Sequence, residues 1–466
     1  MRVLFVSAEV HPYSKTGGLA DVAGALPRAL ASLGHEVLVV TPWYATLRAS
    51  PPPLWIGDVP APFAGAMQPV GVGTLEAGGV RYAFVGHDDF RRDRLYGYAD
   101  DVRRFCRFTR AVPQVSERLG FVPELAHVND WHAAYLPMLL AHGWHLPTAF
   151  PGLPSILTVH NVQYQGESGI DEALWWLRLP GALAGTAIDH FGRANALQAG
   201  LGFASRVTTV SPRYAEEVQR PEYGYTLDGS FRHIRDRMVG ILNGLDTDEW
   251  DPATDPHLPA PFDADDAAGK AACKATLAAR LGLPEGPPLI GVVSRLADQK
   301  GIDLVLAAGD RMVAQGWSLA VLGSGEAALE QALRALADRH PGRVSVSIGF
   351  DETLAHLIYA GCDALAVPSR FEPCGLSQMI AMRYGTLPIA RDTGGLHDTV
   401  EHERTGFLFE PLTAEGLLWA AGLARETFGT AAWQRMMTRA MRKDFSWTRS
   451  ADAYAALYGD VVASPR

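Results

Sequence analysis

Two loops of the sequence each place a lysine beside a glycine, a combination that binds anions. Residues 14–21 read Ser-Lys-Thr-Gly-Gly-Leu-Ala-Asp, and residues 294–301 read Ser-Arg-Leu-Ala-Asp-Gln-Lys-Gly. Each loop follows a short apolar run and precedes a helical pattern, so backbone N–H groups at a helix start lie near the cation. Arg295 and Lys300 can converge on one diphosphate, the first as a planar fork and the second as a point charge. We expect the two loops to bind a shared polyanionic ligand; either loop alone could be an ordinary glycine turn.

Two further glycine-rich motifs open predicted helices. Residues 323–328 read Gly-Ser-Gly-Glu-Ala-Ala and match the dinucleotide pattern, but the next strand does not end on the acidic residue that normally contacts a ribose. A phosphate or ribose contact, or a plain turn, is therefore favoured over a dinucleotide site. Residues 393–396 read Thr-Gly-Gly-Leu and predict a phosphate-binding turn.

Residues 369–376 read Ser-Arg-Phe-Glu-Pro-Cys-Gly-Leu after another apolar strand. Pro373 and Gly375 restrict the backbone path and hold Glu372 at the carboxyl edge of the predicted sheet. Cys374 near a helix start could be a reactive thiol. A small buried side chain is favoured, because no histidine is adjacent to activate it.

Polar and aromatic residues end two strands of the first half of the chain. Residues 129–132 read Asn-Asp-Trp-His, and residues 160–166 read His-Asn-Val-Gln-Tyr-Gln-Gly. Such a mixture suits a sugar, whose hydroxyls need donors and acceptors while its apolar face packs on rings. For His132 and His160, each taken alone, a structural histidine with satisfied hydrogen bonds is favoured.

The composition limits the kinds of partner. The 466 residues carry 41 Lys+Arg against 51 Asp+Glu, a net charge of −10, which argues against a broad nucleic-acid surface but allows a local basic pocket. Only five of the cations are lysines, and two of these lie in the glycine loops. The other three are predicted to lie on solvated helix faces: Lys270, Lys274 and Lys443.

The four cysteines lack metal or disulfide spacing, and no metal site is predicted. The sequence shows neither a signal peptide nor an apolar run long enough for a membrane span. A cytoplasmic enzyme without a membrane or nucleic-acid partner is expected.

Short apolar, β-branched runs alternate with helical stretches, a pattern typical of parallel sheets covered on both faces. The predicted strands of the first half are 3–7, 36–41, 80–86, 125–129, 155–160, 206–210 and 238–242. After a segment rich in Pro and Asp, those of the second half are 289–293, 319–322, 344–348, 364–367, 387–390 and 407–409. The pattern predicts two doubly wound α/β domains with ligands at the carboxyl ends of their strands. A last helix with an aromatic face is predicted over 445–458.

Taken together, these motifs resemble the family of bacterial glycogen synthases and plant starch synthases. The shared strings occur in family order at 15–21, 130–132, 160–161, 243–244, 294–295, 299–301, 369–375 and 393–396. The resemblance implies a GT-B fold, with two facing Rossmann-like domains and a deep interdomain cleft. It places an acceptor-side domain at 1–243, a nucleotide-sugar domain at 244–450 and a helix crossing back at 451–466. It also implies, without a cofactor, retaining transfer of glucose from ADP-glucose to the non-reducing 4-hydroxyl of an α-1,4-glucan.

The resemblance also carries residue roles. The implied catalytic residues are Asp130, His160, Arg295, Lys300 and Glu372. The implied donor-binding residues are Lys15, Gly17, Gly18, Asp21, Asn243, Phe350, Cys374, Gly375, Thr393, Gly394, Gly395 and Leu396. Bacterial members often have Tyr where this chain has Phe350, so stacking on adenine is kept while a hydroxyl contact is lost.

Three alternatives stay open at this point. A GT-B enzyme could use a UDP-sugar, an inactive relative could only bind glucan, and the 323–328 motif leaves a dinucleotide-dependent dehydrogenase possible. The oligomeric state is not predicted.

Overall fold

The computed structural model describes residues 1–463 and divides the chain into two compact units. The first unit combines Met1–Gly244 with the chain from Trp447 onward, and the second unit is Leu245–Ser446. The sequence predicted changes of domain at residues 244 and 451. The last three residues of the helix predicted over 451–466 lie outside the described part of the chain. As the sequence predicted, both units are α/β structures built on parallel sheets.

The first unit has two sheets. Its strands are β1 (Arg2–Val6), β2 (Glu36–Pro42), β3 (Leu54–Phe63), β4 (Ala66–Ala77), β5 (Val80–Gly86), β6 (Leu125–Asn129), β7 (Ser155–Val159), β8 (Glu167–Ser168), β9 (Asp189–His190), β10 (Arg193–Asn195), β11 (Arg206–Thr209) and β12 (Met238–Gly240). Within residues 1–463 the main sheet has the order β12-β11-β7-β6-β1-β2-β5-β4-β3, and β8, β10 and β9 form a small antiparallel sheet. The main sheet is parallel except for the β3–β4 and β4–β5 pairs.

All seven strands predicted for the first half are present, within two residues at each end. Except at the edge strand β12, where Val239 is exposed, they are buried along nearly their whole length, as the apolar runs of β1 and β2 required. The β3–β4 hairpin was not predicted. Its strands carry prolines and glycines and are half exposed at the sheet edge, so they lack a continuous apolar run.

The helices of the first half cover this sheet. They are α1 (Gly18–Ser32), α2 (Asp101–Arg118), α3 (Leu136–His142), α4 (Ile170–Trp176), α5 (Ala196–Phe203), α6 (Pro212–Glu217), α7 (Pro221–Gly224) and α8 (Asp228–His233). Helix α1 starts directly after the first glycine loop and buries Leu19, Val22, Leu26 and Leu30. These positions follow the i, i+3/i+4 spacing of an amphipathic helix.

The second unit is a single parallel sheet with helices. Its strands are β13 (Leu289–Val293), β14 (Ser318–Gly323), β15 (Val344–Ile348), β16 (Ala364–Val367), β17 (Leu387–Arg391) and β18 (Phe407–Phe409). Its helices are α9 (Ala268–Leu281), α10 (Ile302–Ala314), α11 (Ala327–Arg339), α12 (Glu352–Gly361), α13 (Ser377–Arg383), α14 (Gly394–Thr399), α15 (Ala414–Thr427) and α16 (Ala431–Met441). The strand order is β15-β14-β13-β16-β17-β18, and the six predicted strands are confirmed.

The last helix, α17 (Trp447–Ala463), belongs to the first unit. It buries Trp447, Tyr454 and Tyr458 in the cluster that also holds residues of α1 and β1, so the predicted aromatic face is confirmed. The Tyr458 hydroxyl lies 2.6 Å from Nδ1 of His127 on β6. Among the described residues, no helix has the length and apolar character needed to cross a membrane.

The three lysines outside the glycine loops are not on solvated faces, and that prediction was wrong. Lys270 is largely buried, and its ammonium donates to the carbonyls of Ala360 and Tyr384 at 2.8 and 2.9 Å and to Thr386 Oγ1 at 2.7 Å. Two of these acceptors lie at the C-terminal ends of α12 and α13, where helix carbonyls need donors. The other two lysines bond across the second unit, Lys274 to Asp363 and Lys443 to Glu401.

Candidate active site

The sheet of the second unit changes its direction of winding between β13 and β16. From β13 the chain continues outward to β14 and β15, and from β16 it continues to β17 and β18 on the other side. The loops that leave the carboxyl ends of β13 and β16 therefore diverge at this point, which is where open α/β sheets bind ligands. These loops, residues 294–301 and 368–376, are two of those singled out in the sequence.

An ion pair joins the two loops. Lys300 Nζ lies 2.6 Å from Glu372 Oε2, and the same oxygen accepts a hydrogen bond from Ser369 Oγ at 2.9 Å. The Glu372 side chain is 7% exposed and that of Lys300 is 19% exposed. A buried carboxylate is stable when it is paired and hydrogen-bonded in this way. The structure thus places a cation and a carboxylate side by side at the ligand-binding edge of the sheet.

Arg295 lies on the same loop as Lys300 and is exposed. Its guanidinium donates to Gln299 Oε1 at 3.1 Å. Gln299 in turn donates from Nε2 to the carbonyl of Phe371 at 3.3 Å. Gln299 therefore connects Arg295 to the loop that carries Glu372.

Glycines let these loops pack backbone against backbone. At Gly301, where φ is +66°, a Cβ atom would stand 2.0 Å from the carbonyl oxygen of Pro368. Cβ atoms at Gly323 and Gly325 would stand 2.0 and 2.1 Å from the carbonyl oxygens of Ser294 and Leu296. The glycines of the 323–328 motif are thus explained by close packing on the Arg295–Lys300 loop.

The 393–396 turn packs against the Glu372 loop. The Gly395 N–H donates to the Glu372 carbonyl at 2.9 Å, and a Cβ atom at Gly395 would lie 2.0 Å from the Cys374 carbonyl oxygen. Cys374 is 5% exposed, as a small buried side chain should be. Thr393, Gly394 and Leu396 are also buried, so this turn is part of the loop cluster.

Phe350 is separate from this cluster in two respects. It follows β15, which is two strands away from β13 in the sheet. Its side chain is 90% exposed, the highest value among the large hydrophobic residues described. An aromatic face so exposed is available for stacking with a ligand.

The first unit repeats the arrangement with a change of winding between β1 and β6. The loop after β1 carries Lys15, whose ammonium lies 2.6 Å from Asp21 Oδ1 in α1. Cβ atoms at Gly17 and Gly18 would meet no atom within 4 Å, and Gly17 has an extended backbone with φ of −157°. Neither packing nor backbone strain therefore accounts for the two glycines, and space is left beside the loop.

Glu9 holds this loop in place and was missed in the sequence. Its carboxylate is buried and accepts from the Thr16 N–H at 2.5 Å, from Thr16 Oγ1 at 2.8 Å and from the Gly17 N–H at 3.3 Å. Burial raises the pKa of Glu9, and the hydrogen bonds from Thr16 oppose that effect. The Gly17 N–H is already donated to Glu9. What the loop leaves for a ligand is therefore the space beside Gly17.

Asp130 and His160 lie together at the ends of β6 and β7. Asp130 Oδ1 accepts from the His160 N–H at 2.7 Å and from the Asn161 N–H at 3.4 Å. Burial raises the pKa of Asp130 to about 7, against the lowering effect of these donors. His160 Nε2 lies 2.9 Å from Asn129 Oδ1, and burial lowers the pKa of His160 to about 3, which keeps the ring neutral at physiological pH.

The Nδ1 atom of His132 is buried and finds no hydrogen-bond partner among the described residues, so the interpretation as a structural histidine with satisfied hydrogen bonds is not confirmed. The residue is buried and stacks on Trp131 with ring centroids 4.2 Å apart, and burial lowers its pKa.

Asn243 lies just before Gly244, where the chain leaves the first unit. It is 8% exposed, and its Oδ1 atom finds no hydrogen-bond partner among the described residues. Such an orphaned acceptor fits a group that a ligand would supply.

One group of possible metal ligands comes together that sequence spacing did not indicate. Ligand atoms of Asp255, His257 and His356 in the second unit lie within 4.8 Å of one another. However, the Asp255 carboxylate already accepts from His356 Nδ1 at 2.7 Å, the Tyr384 hydroxyl at 2.6 Å and the His257 N–H at 2.8 Å. These hydrogen bonds account for the cluster without an ion.

Two doubly wound units, each with a cation-bearing glycine loop at its winding switch, have the fold of the GT-B class of glycosyltransferases. A profile of the family described as starch synthase catalytic domain matches residues 2–233, and a profile of glycosyl transferases group 1 matches residues 274–422. Sucrose-phosphate synthase from Thermosynechococcus elongatus shares this fold, with a TM-score of 0.62 at 20% identity.

Proteins with higher sequence identity show which family within the GT-B class the chain belongs to. The glycogen synthase of Deinococcus deserti is 47% identical over 466 residues, which cover 99% of this chain and 100% of that protein. The glycogen synthase of Thermus thermophilus is 44% identical over 99% of this chain and 100% of its own. The catalytic domain of starch synthase IV from Arabidopsis thaliana, bound to ADP and acarbose, has a TM-score of 0.92 at 33% identity, with 99% of both chains covered. The chain belongs to the glycogen synthase and starch synthase family of glucosyltransferases.

Proposed function

We propose that the protein transfers glucose from ADP-glucose to the non-reducing 4-hydroxyl of an α-1,4-glucan, with retention of configuration and release of ADP, in glycogen synthesis. The relatives named as glycogen synthases and the starch synthase IV structure with bound ADP support this reaction. The observation that carries the proposal is the Lys300–Glu372 pair, 2.6 Å apart where β13 and β16 diverge. A nucleoside diphosphate sugar presents a diphosphate next to sugar hydroxyls, and this pair offers a cation next to a hydroxyl acceptor.

The diphosphate contacts supply the main catalytic effect. Negative charge builds on the diphosphate as the glycosidic bond breaks, and fixed cations at that position lower the barrier. Lys300 and the exposed guanidinium of Arg295 are the proposed cations of the second unit. Glu372, already fixed by Ser369, accepts from the donor glucose hydroxyls.

Further donor contacts are proposed around this centre. In the second unit they are Phe350 on the adenine, the backbone of Cys374 and Gly375 on the glucose, and the turn formed by Thr393, Gly394, Gly395 and Leu396 on the phosphates. In the first unit they are Lys15 with Gly17 and Gly18 at the phosphates, Asp21 near the ribose, and Asn243 through its orphaned amide oxygen. The protein needs no cofactor for this chemistry, since side-chain cations neutralise the leaving group.

Asp130 and His160 are proposed to act at the sugar side. The neutral imidazole of His160 is oriented by Asn129, and Asp130 holds the backbone that follows β7.

A double displacement would need a carboxylate nucleophile about 5 Å from an acid. Glu372 accepts from a lysine and a serine at Oε2, and Asp130 accepts from two backbone N–H groups at Oδ1, so one oxygen of each carboxylate already holds part of the site in place. We favour attack of the acceptor on the face from which ADP departs; a trapped glucosyl ester on either residue would contradict this route.

A donor panel tests the proposal. Nucleoside diphosphate release is measured with glycogen as acceptor, using ADP-glucose, UDP-glucose and GDP-glucose on the wild type and on the Lys15→Ala and Lys300→Ala variants. We expect turnover with ADP-glucose above all and a loss of about 100-fold or more in kcat/KM for each lysine variant, because a charge-assisted contact to the leaving group is removed.

Arg339→Ala provides a matched control, since it removes a cation from an exposed pair with Asp310 on helices of the same unit. Preference for UDP-glucose would replace the donor assignment, and glycogen binding without turnover would make the chain a glucan-binding protein. Unchanged turnover in both lysine variants would refute the phosphate contacts.

A further inference from the structure

Arg370 lies on the loop of Glu372 and bonds across to the segment that carries Lys300. Its Nε donates to Asp298 Oδ1 at 3.0 Å, and its Nη2 donates to Asp303 Oδ2 at 2.7 Å. Its backbone N–H donates to the Gln299 carbonyl at 2.8 Å, and its own carbonyl accepts from the Arg391 guanidinium. One residue therefore bonds to three positions within the segment 298–303.

The partners of Arg370 surround Lys300 in sequence. Asp298 precedes the lysine by two residues, and Asp303 follows it by three, in the first turn of α10. Arg370 itself precedes Glu372 by two residues. The guanidinium thus joins the two loops on either side of the Lys300–Glu372 pair and sets their separation.

The same contacts have an electrostatic consequence. A diphosphate bound at Lys300 would share this segment with the carboxylates of Asp298 and Asp303, whose side chains are 72% and 43% exposed, and like charges repel one another by an amount that such exposure reduces. Arg370 neutralises both carboxylates at once because its planar fork reaches two acceptors in different directions. A lysine at this position keeps the charge but cannot reproduce both contacts.

We infer that Arg370 is a positioning residue for donor binding: it fixes Lys300 opposite Glu372 and keeps Asp298 and Asp303 from repelling the diphosphate. The inference rests on the proposed function, because it assumes that the anion at Lys300 is the diphosphate of the donor. It adds a residue that does not itself contact the substrate.

The first test is the Arg370→Gln variant. We expect the KM for ADP-glucose to rise about tenfold with a smaller fall in kcat, because uncompensated charges weaken binding of the anion. The increase should shrink as the salt concentration rises, since screening reduces repulsion between exposed charges. A purely structural role would not produce this salt dependence.

The second test is Asp303→Asn, made alone and combined with Arg370→Gln. Alone, it should leave KM equal to or below that of the wild type, because it removes a negative charge and keeps an acceptor for Arg370. In the double variant it should reverse much of the tenfold increase. If Asp303→Asn raises KM as much as Arg370→Gln does, the contact matters only for packing and the inference is wrong.

Arg311→Gln is the control, since it removes a cation from an exposed pair with Glu415 near the other end of α10. A KM of Arg370→Gln within twofold of the wild type overturns the inference. If that variant does not fold, as judged by circular dichroism, Arg370→Lys is used, and an increase of less than about threefold in its KM has the same meaning.

ADP binding by titration calorimetry separates this inference from the proposed function. The Kd for ADP should follow the same order across the variants as the KM does. A wild type that binds ADP but transfers no glucose would refute the proposed reaction, while the ADP affinities would still decide the role of Arg370.

Discussion

Asp130 shows how burial tunes a single side chain of the first unit. It lies in the left-handed region with φ of 53° and directs its carboxylate at the backbone after β7. Its pKa is raised from 3.8 to about 7, chiefly because burial disfavours the charged form. The folded chain then binds this proton more tightly than the unfolded chain. The resulting stabilisation is present below about pH 4 and is lost as the pH rises to 7.

Asp130→Asn should remove this pH dependence. Between pH 4 and 7.5, we expect the free energy of unfolding of the wild type to fall relative to that of the variant by about 3 to 4 kcal/mol, the equivalent of the pKa shift. Urea denaturation of both proteins across this range measures the difference. Asp236→Asn, which alters a carboxylate with a 91% exposed side chain, is the control and should show no such divergence. Parallel curves for Asp130→Asn and the wild type would contradict the prediction.

At the level of single residues, the sequence indicated chemistry where neighbours in the chain create it. The Arg295–Lys300 loop could be predicted because its cations and glycine are within seven positions of one another. Lys270 could not, because its acceptors Ala360 and Tyr384 are 90 and 114 residues away. Glu9 was missed for a related reason: one acidic residue after a strand looks like a solvated loop residue until the chain folds back onto it at Thr16.

The glycines of the loops and turns serve two different purposes. Gly301 and Gly395 sit where any side chain would collide with a neighbouring carbonyl oxygen. Gly17 and Gly18 have free space where a side chain would be. The first pair therefore supports the architecture of the second unit, and the second pair leaves room next to Lys15.

Gly18→Ala and Gly395→Ala should consequently behave in opposite ways. We expect Gly18→Ala to raise the KM for ADP-glucose several-fold while the free energy of unfolding stays within about 1 kcal/mol of the wild type, since exposed Gly-to-Ala changes in helices are small. Gly395→Ala should lose about 2 kcal/mol or more, because the added Cβ forces the Cys374 carbonyl to move. Steady-state kinetics and chemical denaturation on both variants check the contrast. Equal effects of the two changes on stability would show that the distinction is incorrect.

How well a strand could be predicted from the sequence depended mainly on whether its residues form an apolar run. Strands β1, β13 and β14 are nearly continuous apolar runs and could be located from the sequence to within two residues. The β3–β4 hairpin could not, because half of its residues face solvent and its prolines and glycines resemble a loop. Site loops could be placed at the carboxyl edge because each follows a strand of a predicted parallel sheet, but the bonds that fix the Lys300 loop come from Arg370, which is distant in sequence.

At the scale of the whole molecule, the chain leaves the first unit at Gly244 and re-enters it at Trp447. Each unit has apolar clusters of its own: α17 contributes Tyr454 and Tyr458 to one in the first unit, and α16 contributes Trp433 to one of the two described in the second unit. Separate cores predict that the stability of one unit can be changed by a substitution that leaves the other unit's core intact.

Tyr458→Ala and Trp433→Ala should each loosen one unit. Both side chains are buried, and truncation of a large buried ring costs about 3 to 5 kcal/mol. We expect hydrogen exchange, followed by mass spectrometry, to accelerate in peptides of β1 and β6 for Tyr458→Ala and in peptides of β13 and β14 for Trp433→Ala. Uniform acceleration across all four strands in either variant would mean that the units do not open independently.

The return of the chain at Trp447 also bears on the order in which the protein is made. Helix α17 is translated only after all of the second unit has been synthesised, so the face of the first unit that receives Tyr454 and Tyr458 stays uncovered throughout that time. The second unit is continuous in sequence and can complete its core first. A ribosome that stalls between residues 245 and 446 would thus release a chain whose earliest-made part is unfinished, a natural substrate for chaperones that recognise exposed apolar surface.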